Sequence, residues 1–128
     1  MGFKEFIQHL GEKKREKKEL ARQIEDRVRI EEMIEAKKPI GALCIAPVAI
    51  ALALGSKKTE VTIGNDAGTA AAIETMGGIH IQCGVGDIHV DKKNNLVTTP
   101  AYMLGPGIKD VAVGIEKLIS KVLELAAD

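Results

Sequence analysis

The hydrophobic pattern changes character at Pro39. Before it, Phe3, Phe6, Ile7 and Leu10 form one apolar cluster. Leu20, Ile24, Val28 and Met33 or Ile34 then make a narrow stripe at spacings near four, the period of an amphipathic helix. The stretch GEKKREKKE between them holds no apolar residue, and opposite charges such as Glu12 and Arg15 stand one helical turn apart. Such a stripe is too thin for a helix standing alone, so the expected helix packs on the body of the protein or on a partner helix.

From Pro39 onward the pattern alternates. Ile40 to Cys44 reads as a short apolar strand, and Pro47 suits the first turn of a helix running from Val48 to Leu54 and closed by Gly55. Glu60 to Ile63 is a second strand. Asn65 or Asp66 can cap a helix over about Ala67 to Met76, which Gly77 and Gly78 stop. IHIQC and DIHVD alternate as strands do, and KKNN turns the chain into LVTTP as a hairpin. Beyond Pro106, residues Ile108, Val111, Ile115, Leu118, Ile119, Val122 and Leu125 fall on one helical face up to Ala126. Short links between alternating strands and helices predict an α/β domain with a largely parallel sheet over residues 39–128, preceded by a charged N-terminal helix over 1–38.

Composition narrows the function classes. Phe3, Phe6 and Tyr102 are the only aromatic residues, which argues against a stacking platform for single strands. Net charge is zero among 128 residues, which removes the simple electrostatic case for nucleic acid or an anionic membrane. The lysine-rich segment is mixed with acids and reads as a solvated helix face. Ile40 to Leu54, the longest apolar stretch, is too short for a membrane span. Two cysteines, Cys44 and Cys83, with no apolar leader segment suggest free thiols in a reducing compartment, and the expected location is the cytoplasm.

Candidate chemistry centres on KPIGALCIAP. A cysteine ending a strand that turns at once into a helix is lifted clear of the sheet, and helix N–H groups favour a thiolate or oxyanion beside it. Cys44 is the candidate nucleophile, with Gly41 and Ile45 as turn and oxyanion support; a buried, inert thiol is the plain alternative. His80 and Gln82 point to one side of their strand, and His89 shares a face with Asp87 and Asp91. Their spacings fit no standard zinc pattern, so no metal or cofactor is expected. GVGDIH is followed by a strand rather than a helix, which fails the dinucleotide pattern. GPG at 105–107 reads as a plain helix start.

KPIGALCIAP, VTIGNDAGTAAAIETMGG, NNLVTTPAYM and GIEKLISKVLEL together resemble the ElbB-type, glyoxalase-like proteins of the ThiJ/PfpI branch of the class I glutamine amidotransferase-like superfamily. The resemblance runs from about Lys37 to Ala126. It implies a flavodoxin-like, partial doubly wound sheet and makes Cys44 the counterpart of the family's elbow cysteine. By the same resemblance, the associated activity is glutathione-independent glyoxalase chemistry on small 2-oxoaldehydes, with a naming link to isoprenoid biosynthesis.

Several family features have no counterpart in this sequence. Family members are longer, and their N-terminal half supplies an acidic partner for the cysteine and a glycine-rich loop; here a charged helix precedes the elbow strand. Ile45 stands where many relatives have histidine, and Gly64 and Asn65 where others have one. VTTPAYMLGPG holds neither the His nor the Glu of an amidotransferase. Two functions are therefore expected to compete: a glyoxalase acting through Cys44, and a non-catalytic relative serving assembly. A strand that loses its family neighbours exposes an edge, so a homodimer or higher oligomer involving the N-terminal helix is also expected.

Overall fold

The computed structural model describes residues 2–104 and 107–127, apart from the side chains of Gln23 and Ile24. The elements are α1 (Phe3–Glu35), β1 (Ile40–Leu43), α2 (Ala46–Leu54), β2 (Glu60–Gly64), α3 (Ala67–Thr75), β3 (Ile79–Gln82), β4 (His89–Asp91), β5 (Leu96–Thr99) and α4 (Ile108–Ala127). Short 3-10 turns at Gly55–Lys57 and Ala101–Met103 follow α2 and β5. The chain forms two compact units, Met1–Ile30 and Glu31–Asp128.

The first unit is helical from Phe3 onward, and its apolar side chains Phe3, Phe6, Ile7, Leu10, Leu20 and Val28 are exposed. Ion pairs Arg22–Glu19 and Arg29–Glu25, each 2.6 Å, lie along its surface. Ile24, expected in the stripe, lies outside the described side chains.

The second unit holds the sheets. β1 runs parallel to β5 with Ile40 opposite Leu96 and Leu43 opposite Thr99, and β4 pairs antiparallel with β5 as the expected hairpin. β2 and β3 form a separate parallel pair. A single continuous ladder does not form. Side chains instead connect β2 to the other sheet: Glu60 N–H donates to Asp91 Oδ2 (2.9 Å) and Thr62 N–H to Thr98 Oγ1 (3.0 Å). Buried backbone donors need partners, and Asp91 and Thr98 supply them at this seam.

Helices cover both faces. A methyl group at Gly41 would lie 2.8 Å from Leu118 Cδ2 and 2.9 Å from Val122 Cγ2, so α4 lies closely on that side of β1. The adjacent Ala42 points the other way and is buried in the core with Ile50, Ala51, Leu54, Val61 and Ile63. The arrangement is the flavodoxin-like, partly doubly wound α/β fold. Asp66 is the cap of α3, its Oδ2 accepting from Thr69 N–H at 2.9 Å. In α4 the buried face is Val111, Gly114 and Leu118; Ile108 and Ile119, expected on that face, are exposed, because one apolar stripe suffices to cover the sheet.

Candidate active site at the turn from β1 to α2

Cys44 follows the last residue of β1, and α2 begins two residues later at Ala46. The cysteine has φ +62°, a left-handed conformation that costs an L-residue about 1 kcal/mol or more. Its N–H donates to the carbonyl of Thr99 at 3.1 Å, which extends the β1–β5 pairing by one bond and anchors the turn. Ile45 follows with φ −95° and ψ −12°, and buried Pro47 occupies the first turn of α2, where its missing N–H costs nothing. The chain thus reverses from strand to helix around the thiol, as KPIGALCIAP led us to expect. The helix starts two residues earlier than the position of Val48 suggested.

The surroundings come from the carboxyl ends of neighbouring strands, where open α/β sheets collect ligands. Thr99 Oγ1 donates to the carbonyl of Asp87 at 2.7 Å, so one residue of β5 positions both the Cys44 turn and the loop before β4. Gly64 ends β2 with φ +107°, and a side chain there would strike Leu104 at 2.7 Å. Ala101, just after β5, has φ +47°. Three strand ends therefore carry left-handed residues, and strain of this kind concentrates where geometry serves a site. Thr99 and Ala101 escaped sequence reasoning; the paired threonines of LVTTP, polar residues in a buried strand, were the available signal.

Ile45 N–H, the nearest donor to the thiol along the chain, has no hydrogen-bond partner among the described residues, and Ile45 is exposed. In the first turn of α2, Pro47 has no N–H and Val48 N–H donates to the Ile45 carbonyl at 3.0 Å, so Ile45 N–H and Ala46 N–H are the donors that an oxyanion can use. Gly41 sits inside β1, and its missing side chain is explained by the close approach of α4. The Cys44 thiol itself is half-buried and makes no hydrogen bond to a carboxylate or imidazole among the described residues.

The remaining candidates disperse. Burial raises the Cys83 thiol and nearby Asp87 raises it further, while Thr62 and Lys117 partly offset the shift. His80 is half-buried rather than surface-facing: its Nε2 accepts from Ile63 N–H at 3.3 Å, where the β2–β3 ladder is irregular. Burial lowers its pKa, and Glu74 opposes the shift. His89 Nε2 lies 3.0 Å from Glu60 Oε1, Asp87 pairs with Lys117 at 3.3 Å, and Asp91 is engaged at the seam and with Asn94. No group of three or more metal-binding side chains comes together among the described residues. The expected plain helix start at GPG falls on Gly105 and Pro106, outside the described residues.

No family model matches the chain. It is 43% identical over 105 residues to the ES1 protein homolog, mitochondrial, of Rattus norvegicus, covering 75% of this chain and 39% of that protein. It is 42% identical over 105 residues to the glutamine amidotransferase-like class 1 domain-containing protein 3, mitochondrial, of Homo sapiens, with 75% and 38% coverage. The solved structure of an isoprenoid biosynthesis protein with an amidotransferase-like domain from Ehrlichia chaffeensis superposes with a TM-score of 0.70 at 34% identity, over 78% of this chain and 45% of that one. The chain belongs to the class I glutamine amidotransferase-like family. It spans about two fifths of the length of the curated relatives it matches.

For this amidotransferase-like chain the cytoplasmic expectation is overturned, since both curated relatives are named as mitochondrial proteins. Free thiols separate reducing from oxidising compartments and do not choose among the reducing ones, and the missing apolar segment addresses secretory leaders alone. No helix among the described residues is long and apolar enough to cross a membrane.

Proposed function

We propose that this amidotransferase-like chain is a glyoxalase-like protein in which Cys44 adds to the aldehyde carbon of a small 2-oxoaldehyde. The observation that carries the reading is the left-handed φ of +62° at a cysteine between a strand and a helix N-terminus. A residue is held in that conformation at a cost, and the turn presents its thiol beside unpaired donors. In the first step the Sγ–C bond forms, the carbonyl π pair moves to oxygen, and the thiol proton reaches that oxygen through solvent. Ile45 N–H and Ala46 N–H stabilise the charge developing there.

The hemithioacetal becomes a thioester through an enediol. The former aldehyde carbon loses its proton while the neighbouring carbonyl oxygen gains one, then the neighbouring carbon is protonated while the first hydroxyl gives up its proton. Water finally cleaves the C–S bond to release the 2-hydroxy acid and restore the thiol. The proton transfer needs a base, which typically contributes about 10²–10⁴-fold. The Cys44 thiol has no such partner among the described residues, so capture outpaces turnover in this chain. The same observation favours the second reading, a non-catalytic relative. The names of the curated relatives support action in mitochondria.

The test is to titrate purified protein with methylglyoxal while following free thiol and intact mass. One reversible adduct per chain is expected, retained in Cys44→Ala controls at neither thiol nor mass level and preserved in Cys83→Ser. An adduct that persists in Cys44→Ser overturns the assignment, and no adduct at all leaves the non-catalytic reading standing.

A further inference from the structure

We propose that the exposed face of α1 is an antiparallel pairing surface for a second copy of this chain. Phe3, Phe6, Leu10 and Val28 lie along one side of the helix and are exposed, Leu10 to 47% and Val28 to 45%. A second helix is the occupant that matches a stripe this narrow and this long.

The surface is shaped for a helix. Ile7, Leu10, Gly11 and Lys14 stand at i, i+3, i+4 and i+7, the four corners of a hole that accepts a knob from a facing helix. A methyl group at Gly11 would meet nothing within 4 Å, so the hole is open. Ile7, Leu10, Gly11 and the stems of Lys13, Lys14 and Lys17 line a shallow notch at this position.

Charge selects both the partner and its direction. Residues 3–19 carry a net charge of +2 and residues 20–35 a net charge of −2. This runs against the helix dipole, which favours acids at the N-terminus and bases at the C-terminus. An antiparallel copy lays its acidic half along the basic half and corrects both ends at once. A parallel copy instead sets Lys13, Lys14, Lys17 and Lys18 against the same four lysines, and like charges so placed repel. Antiparallel pairing with Leu10 opposite Val28 of the second copy places the two-fold axis near Glu19 and brings the knob of Val28 to the open hole.

Disulfide trapping on the full-length chain tests both association and direction, with Cys44→Ser and Cys83→Ser as background. Leu10→Cys mixed with Val28→Cys is expected to form a cross-linked dimer under mild oxidation, and neither variant alone is expected to do so. In the antiparallel pair, the two Leu10 sites lie roughly 27 Å apart at 1.5 Å per helical residue. Cross-linking of Leu10→Cys with itself would point to parallel pairing and overturn the proposal. A monomer mass for the unmodified chain by light scattering across micromolar concentrations would overturn it equally. Leu10→Asp with Val28→Asp should convert a dimer to a monomer of unchanged helix content; a dimer surviving that pair places the contact elsewhere.

Discussion

Gly114 on α4 is the position where one added methyl group should travel furthest. Its Cβ would lie 2.6 Å from the carbonyl oxygen of Val85 and 2.8 Å from Thr99 Oγ1, against an ordinary approach of about 3.5 Å. The carbonyl is backbone and cannot rotate away, so α4 or the loop before β4 must shift by roughly 0.8 Å. Overpacking of this kind costs about 1–3 kcal/mol. Loss of the 2.7 Å bond from Thr99 to the Asp87 carbonyl adds about 1 kcal/mol, and the better helix propensity of alanine returns about 1. Gly114→Ala should therefore destabilise by about 1–3 kcal/mol, a fall in Tm of about 4–20 °C for a unit of this size. Thermal melting by circular dichroism measures it, with Gly68→Ala as control. At Gly68 the new methyl touches only Asp66 Oδ2 at 3.7 Å, so that variant should gain stability. If Gly114→Ala melts at or above the wild-type temperature, the close approach of α4 to β5 is not what the glycine serves.

His80 gives a pH test: its folded pKa is lowered by burial, so the stability it contributes is present above the ordinary histidine pKa of about 6.5 and is lost as pH falls from there toward the folded value. The unfolding free energy from urea titrations should drop by at most about 1 kcal/mol on acidification, one hydrogen bond at a half-exposed site, and His80→Gln should flatten that dependence. Cys44→Gly should raise stability by about 1 kcal/mol, since glycine adopts positive φ without strain, while abolishing aldehyde capture; a less stable variant would contradict the strain at the turn. Alkylation resolved by peptide mapping should label Cys44 before Cys83 at neutral pH, because burial and Asp87 hold the Cys83 thiol in its neutral form.

What the sequence disclosed was local. A strand running up to a cysteine, a proline in the next helical turn and a cap at Asn65 or Asp66 are decided within a few residues; in the structure the strand stops at Leu43, one residue before the cysteine, Pro47 is in place and Asp66 is the cap. The hairpin of β4 and β5 was equally plain, because KKNN is turn chemistry between alternating runs. Long-range pairing was not legible. Alternation in IHIQC assigns faces to His80 and Gln82, yet it contains nothing about the irregular register that brings the imidazole to Ile63 N–H. The break between the two sheets depends on Thr98 and Asp91 standing in for backbone partners, a substitution with no periodic signature. At the site, Cys44 was conspicuous and Thr99 was not: Thr99 acts on the turn through its carbonyl, and every residue has one.

Tyr102 stands on the turn that follows β5, 62% exposed and three residues beyond the threonine that anchors Cys44. The chain has no tryptophan and no other tyrosine. Its tyrosine emission therefore originates from one exposed ring on the turn after β5, the strand whose last residue anchors Cys44. Unlabelled protein carries its own optical reporter there, and stopped-flow tyrosine fluorescence can time events at the thiol without an engineered dye.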